Sequence, residues 1–89
     1  MYIEYDDGKD RENRAKHGLP LAIGREVVQD ARANGAVVED RRTDYGERRY
    51  LGYGHVNGRL LVCVFTPRDA GVRIISVRKA NSRERNVYS

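Results

Sequence analysis

The chain of 89 residues, with 39% hydrophobic and 34% charged side chains, is expected to form one domain over 1–89 with a modest core. No run of about 18 apolar residues is present to cross a membrane, the single Cys63 excludes an internal disulfide, and the first residues carry neither a basic start nor an apolar run, so the expected compartment is the cytoplasm. The net charge of +4 lies entirely in the last quarter, where residues 68–89 carry six cations against two acids, a placement that suits either a solvated face or a polyanion partner, nucleic acid first.

In chain order, Tyr2 to Tyr5 reads as a short strand, ended by Asp6-Asp7-Gly8. Lys9 to His17 reads as a short helix with Gly18 just past its end, and its lack of an apolar face makes it depend on what it docks against. Pro20 opens a second helix, with Ile23, Val27 and Val28 at helical spacing, Gly24 as an interior weak point, and Ala31 to Gly35 as a turn or fraying end. The period then changes to two. Strands are expected over Ala36 to Arg42, Glu47 to Val56, Arg59 to Thr66 and Val72 to Lys79, with turns at Thr43 to Gly46, Asn57-Gly58 and Pro67 to Gly71. Apolar residues on both faces of Arg59 to Thr66 mark a central, doubly covered strand. Asn81, with Glu84 three residues on, can cap a final short helix. The expected class is α+β: an antiparallel meander with two N-terminal helices and a short C-terminal one.

The inventory of reactive residues is narrow. One cysteine and two histidines, His17 and His55, make no usual zinc set, and the acidic pairs Asp6-Asp7 and Glu39-Asp40 are sequence neighbours that diverge on a strand, so neither a metal nor a cofactor is expected. There is no phosphate-cradling glycine loop and no serine elbow, and Cys63 reads as a core thiol. Arginine, lysine, histidine, glutamate and tyrosine remain, a set that can cleave RNA without a metal. The ribose 2′-hydroxyl attacks the adjacent phosphate, a base takes its proton, arginine stabilises the phosphorane and an acid protonates the leaving oxygen. His17, His55, Glu47, Glu84 and Tyr88 are the candidates for proton transfer. Strict alternation places Arg73, Ile75, Val77 and Lys79 on one face of their strand and Val72, Ile74, Ser76 and Arg78 on the other, and strand arginines of this kind also serve as snorkelling or paired residues. Lys9, Asn13, Lys16 and His17 share one polar helix face, open to solvent or to phosphate. Tyr45, Tyr50, Tyr53 and Tyr88 can stack on bases or pack across the sheet.

Three blocks carry a family resemblance. Tyr5-Asp6 with Lys9, Asn13 and Lys16-His17-Gly18, then Asp40 to Arg49, then Arg73 to Ala80 with Arg83-Glu84 and Tyr88, together resemble the BrnT toxins over nearly the whole chain. Departures fall at Leu21, Gly24 and Ala31 to Gly35, outside the charged blocks. The resemblance implies a RelE-like fold and a metal-independent endoribonuclease that arrests translation. It also implies a BrnA-like antitoxin that neutralises the toxin, with operator DNA reached only through the antitoxin. On that basis Arg48, Arg73 and Arg78 are expected at the phosphate and His17 or Glu47 at the protons, with Lys9, Asn13, Lys16, Lys79, Arg85 and Tyr88 along the RNA. The competing expectation is a non-catalytic module that holds an antitoxin or nucleic acid, or, more weakly, a structural subunit.

Overall fold

The computed structural model describes all 89 residues: β1 (Tyr2–Glu4), α1 (Asp7–His17), a 3-10 turn (Leu21–Ile23), α2 (Gly24–Ala33), β2 (Val37–Asp40), β3 (Arg49–Val56), β4 (Arg59–Arg68), β5 (Gly71–Lys79) and α3 (Ser82–Tyr88). The sheet order is β1-β5-β4-β3-β2. Strands β2 to β5 form the expected antiparallel meander, but β1 pairs with β5 in parallel, so the sheet is mixed. The chain leaves β1 directly into α1 and α2 on one face, which carry it to β2 at the far edge, and three antiparallel reversals then bring β5 beside β1 in the parallel direction.

Local signals explain most boundaries. The first strand ends before Asp6-Asp7-Gly8 as expected, and the same residues start the helix: the Asp6 carboxylate accepts from the Lys9 N–H at 2.9 Å as the N-cap. Gly18 ends α1 in the left-handed region at φ 71°. Asn57 and Gly58, both at positive φ, close the β3–β4 hairpin, and Asn81 with Glu84 forms a reciprocal capping box on α3. Gly24 is not an interior flaw. It opens α2, where an added Cβ would lie 2.9 Å from the Ile74 side chain, so its small size lets the helix settle on the sheet. The helix also runs through Ala31, which is fully buried, to Ala33. Strand β4 continues past Pro67 to Arg68, because the last β3 partner pairs at Phe65 and no ladder bond is forfeited on that flank.

The two apolar faces of β4 separate as their alternation predicts. Leu61, Cys63 and Phe65 join Val72, Ile74, Val77, Leu21, Val27 and Val28 in the main core beneath α1 and α2. Leu60 and Val62 join Tyr53 and Ala80 on the opposite face, against Tyr88 of α3. That second face carries α3 at one end and the loop after β2 over Asp40 at the other, with neither α1 nor α2 packed on it, and is the open face of the sheet.

Candidate nucleic-acid interface on the open sheet face

Strand β5 does not alternate strictly. A bulge at Val64/Phe65 shifts the register, so that Phe65 pairs with Ile74 but Val64 pairs with Ser76. Thr66, Val64 and Val62 then oppose Arg73, Ser76 and Arg78, while Phe65, Cys63 and Leu61 oppose Ile74, Val77 and Lys79. This corrects the strict-alternation expectation: Arg73 and Arg78 share the open face, and Val77 turns into the main core. The two arginines stand about 13 Å apart at their backbones, the four-residue span between their β4 partners Val62 and Thr66 at about 3.3 Å per residue. Long side chains on that span can grip neighbouring phosphates of one strand.

Arg78 is held on this face by a carboxylate partner. Its two terminal nitrogens donate to both Glu84 oxygens at 2.7 and 2.8 Å, and Glu84 in turn accepts the Asn81 N–H at 2.9 Å. The Arg78 hydrogen bond holds the Glu84 carboxyl below its ordinary range. Beside this pair, Tyr53 and Tyr88 stack with centroids 3.9 Å apart and planes 6° from parallel. Burial pushes the Tyr53 phenol up, so it stays protonated at neutral pH.

Helix α1 lies along the bulged part of β5, and Lys9, Glu12, Lys16 and His17 line a cleft with Ile75 and Ser76. His17 is half-buried at the helix end. Burial first, then the charges of Lys16 and Arg78, lower its pKa below 6.5, so the imidazole is neutral at pH 7.

Asn13 departs from its expected place on an exposed, RNA-facing surface. It is 6% exposed, donates to the Leu19 and Val77 carbonyls at 2.8 Å each, and accepts the Val77 N–H at 3.1 Å. Its amide occupies the edge of β5 beyond the end of β1 and acts as a one-residue strand, fastening a helix that has no apolar face. Asn13→Leu leaves both Val77 groups unpaired and is expected to cost about 2–4 kcal/mol, lowering the melting temperature by roughly 10 °C or more. A shift under about 3 °C in a thermal melt would remove this fastening role.

The other expected residues divide between two ends of the sheet. At one end Arg73, Glu4, Arg68, Glu47 and Arg49 form a chain of ion pairs at 3.7, 3.1, 3.7 and 3.2 Å. Glu47 is thus engaged there, in the loop before β3, and is not brought together with His17. Arg48, in the same loop, has an exposed side chain in no ion pair, while its carbonyl accepts the Thr66 hydroxyl at 2.7 Å. At the hairpin end Lys79 and Arg85 line a cleft with Arg59 and His55. Arg85 also donates to the Ala80 carbonyl at 2.8 Å. Cys63 is a core thiol, pushed up to about 12 by burial.

Arg42 and Asp40 were not singled out from the sequence. Asp40 is buried on the open face, opposite Arg49, and accepts from Arg42 through Nε at 2.8 Å and Nη2 at 2.7 Å. The Arg42 hydrogen bond draws the Asp40 pKa from 3.8 down to about 2. A depressed carboxylate stabilises the fold fully above its unfolded value, so this contribution fades as pH falls from about 4 toward 2. The period of two in Asp40-Arg41-Arg42 was the available signal, since it places Asp40 and Arg42 on one side of the chain.

No three His, Cys, Asp or Glu side chains converge on a point where a metal ion could sit. No helix is long and apolar enough to cross a membrane. Residues 5–84 match the family model described as the ribonuclease toxin BrnT of type II toxin–antitoxin systems. No curated protein matches the chain.

Proposed function

The chain belongs to the BrnT family of type II ribonuclease toxins, whose partners are an RNA target and an antitoxin, and we propose that it cleaves RNA without a metal, using the open face of its sheet. The observation that carries the proposal is the β5 bulge, which sets Arg73, Ser76 and Arg78 on one face beside a neutral His17. His17 takes the proton of a ribose 2′-hydroxyl, and that oxygen forms a bond to the adjacent phosphorus. Arg78 stabilises the added negative charge on the phosphorane through the two N–H groups it does not spend on Glu84 or Lys79. The P–O5′ bond breaks, and the 5′ oxygen takes a proton from solvent. The products are a 2′,3′-cyclic phosphate and a 5′-hydroxyl. Arg73, Lys9 and Lys16 hold flanking phosphates, with Arg48, Lys79 and Arg85 further along the backbone and Tyr88 beneath a base.

The four-strand meander with two helices on one side supports the RelE-like architecture that the resemblance implies. On the same footing, cleavage arrests translation in the cytoplasm, a BrnA-like antitoxin covers the toxin, and operator DNA is reached only through that antitoxin. One observation favours the rival module that binds without cleaving: Glu84 already occupies the Arg78 fork.

Purified protein incubated with bulk RNA in excess EDTA tests the choice. Fragmentation supports the nuclease. Intact RNA, bound with a steep salt dependence by the folded protein, supports the binding module. The assignment of His17 has its own test. A base must be unprotonated to act, so kcat/KM is expected to fall as pH drops through an apparent pKa below 6.5, and His17→Gln should flatten that limb. An acid limb that persists unchanged in His17→Gln removes His17 from the role.

A further inference from the structure

We propose that Arg42 is a second, preorganised phosphate-binding residue for RNA on the open face, with Asp40 and Tyr45 as the residues that position it. The inference deepens the reading above and rests on RNA crossing this face.

Asp40 is a charge taken out of water. Its side chain is fully enclosed, and a buried carboxylate is unfavourable unless paired and hydrogen-bonded. It is paired on every side: Arg42 donates through Nε, Nη2 and its backbone N–H at 2.8, 2.7 and 3.2 Å, and the Tyr45 hydroxyl donates at 3.2 Å. The Tyr45 ring is in turn covered by the Arg49 guanidinium at 4.1 Å. A turn that only reversed the chain would need none of this. What the network achieves is a fixed guanidinium plane in an otherwise exposed loop.

The plane is only partly spent. Two of the five N–H donors of a guanidinium meet Asp40, which leaves three, and the Arg42 side chain is 63% exposed. Its placement follows from the register. Val38 and Asp40 pair with Leu51 and Arg49, so Asp40 stands on the same face as Tyr53, and the loop that carries Arg42 leaves β2 from that side. The Arg42 charge is felt at Arg78, Glu84 and Tyr53, so the two guanidinium groups share one field. Two arginines with N–H groups to spare beyond their carboxylate partners, both acting on the stacked tyrosine pair, suit a chain of phosphates and bases. An acidic peptide would gain nothing from the stacked rings.

The test uses a fluorescent oligoribonucleotide with 2′-O-methyl at every position, which binds but offers no attacking hydroxyl. Against the folded wild type, Arg42→Ala is expected to weaken binding about tenfold and to reduce the slope of log affinity against log salt by about 0.7. Arg42→Lys should restore the slope but not the full affinity, because it lacks the fork. Asp40→Asn leaves the Arg42 charge in place, so it should weaken binding with little change in slope. Cleavage of unmodified RNA by Arg42→Ala should show the loss in KM, with kcat within about threefold, because Arg42 does not touch the reacting atoms. Unchanged affinity and slope in Arg42→Ala, with wild type binding normally, overturns the proposal alone. So does weakened capture of the cognate antitoxin with RNA binding intact. A wild type that binds through Arg42 but does not cleave sustains this site and overturns the catalytic reading. A wild type that does not bind RNA overturns both.

Discussion

Arg78→Ala is expected to reduce RNA cleavage by about 10²- to 10³-fold, the usual effect of removing one donor aimed at developing charge. The residue sits where the β5 bulge turns it to the open face, its plane is fixed by Glu84, and His17 lies within reach of its charge. The substitution also leaves the carboxylate of Glu84 without its partner, at a cost of about 1–2 kcal/mol in a part-buried pair. Activity must therefore be compared at a temperature where a melt shows the variant folded. Glu84→Gln is the companion variant: it keeps the shape of the contact and releases the Arg78 fork. If Glu84 only orients Arg78, Glu84→Gln retains most of the activity that Arg78→Ala loses. Full activity in folded Arg78→Ala removes the residue from the chemistry.

Gly54→Ala is expected to cost about 3 kcal/mol or more, enough to unfold much of a small domain with a narrow stability margin. Gly54 faces α2 from the middle of β3, and a Cβ there would lie 2.2 Å from the Val27 carbonyl oxygen and 3.0 Å from its Cα. The obstacle is helix backbone, which no rotamer change can relieve, so strand and helix would have to separate across the core. The neighbouring Tyr53 would move with β3 and carry its stack on Tyr88 away from Arg78. A melting temperature lowered by about 12 °C or more, or no cooperative transition, is the expected result. A shift of only a few degrees would mean that α2 approaches the sheet less closely than this.

Much of the scaffold was readable because it is written locally. The Asn57-Gly58 turn, the Asn81–Glu84 capping box and the doubly apolar run of β4 each depend on residues within a few positions of one another, and each formed where expected. The features that set the site are not local. The β1–β5 pairing joins residues about 70 positions apart, and no pattern in Tyr2–Glu4 specifies a parallel neighbour. The bulge at Val64/Phe65 inserts one residue into an otherwise regular alternation, which is invisible without the partner strand, yet it decides that Arg73 and Arg78 face the same way. Asn13 looked like part of a solvated helix face because its partners, Leu19 and Val77, are brought to it by the fold. Of the candidate site, the cations and His17 came from their types and from the family blocks, while Arg42 became visible only when Asp40 proved to be buried beneath it.

The central claim is that the 2′-hydroxyl of RNA attacks the adjacent phosphate on this face without a metal. Its most direct measurement is mass spectrometry of the ends produced from one defined oligoribonucleotide in excess EDTA, beside the same oligonucleotide with a 2′-deoxy sugar at the cleaved position. Ends of 2′,3′-cyclic phosphate and 5′-hydroxyl, with the deoxy substrate intact, are the predicted result. Cleavage of the deoxy substrate, or ends of 3′-hydroxyl and 5′-phosphate that appear only when magnesium is restored, would contradict it.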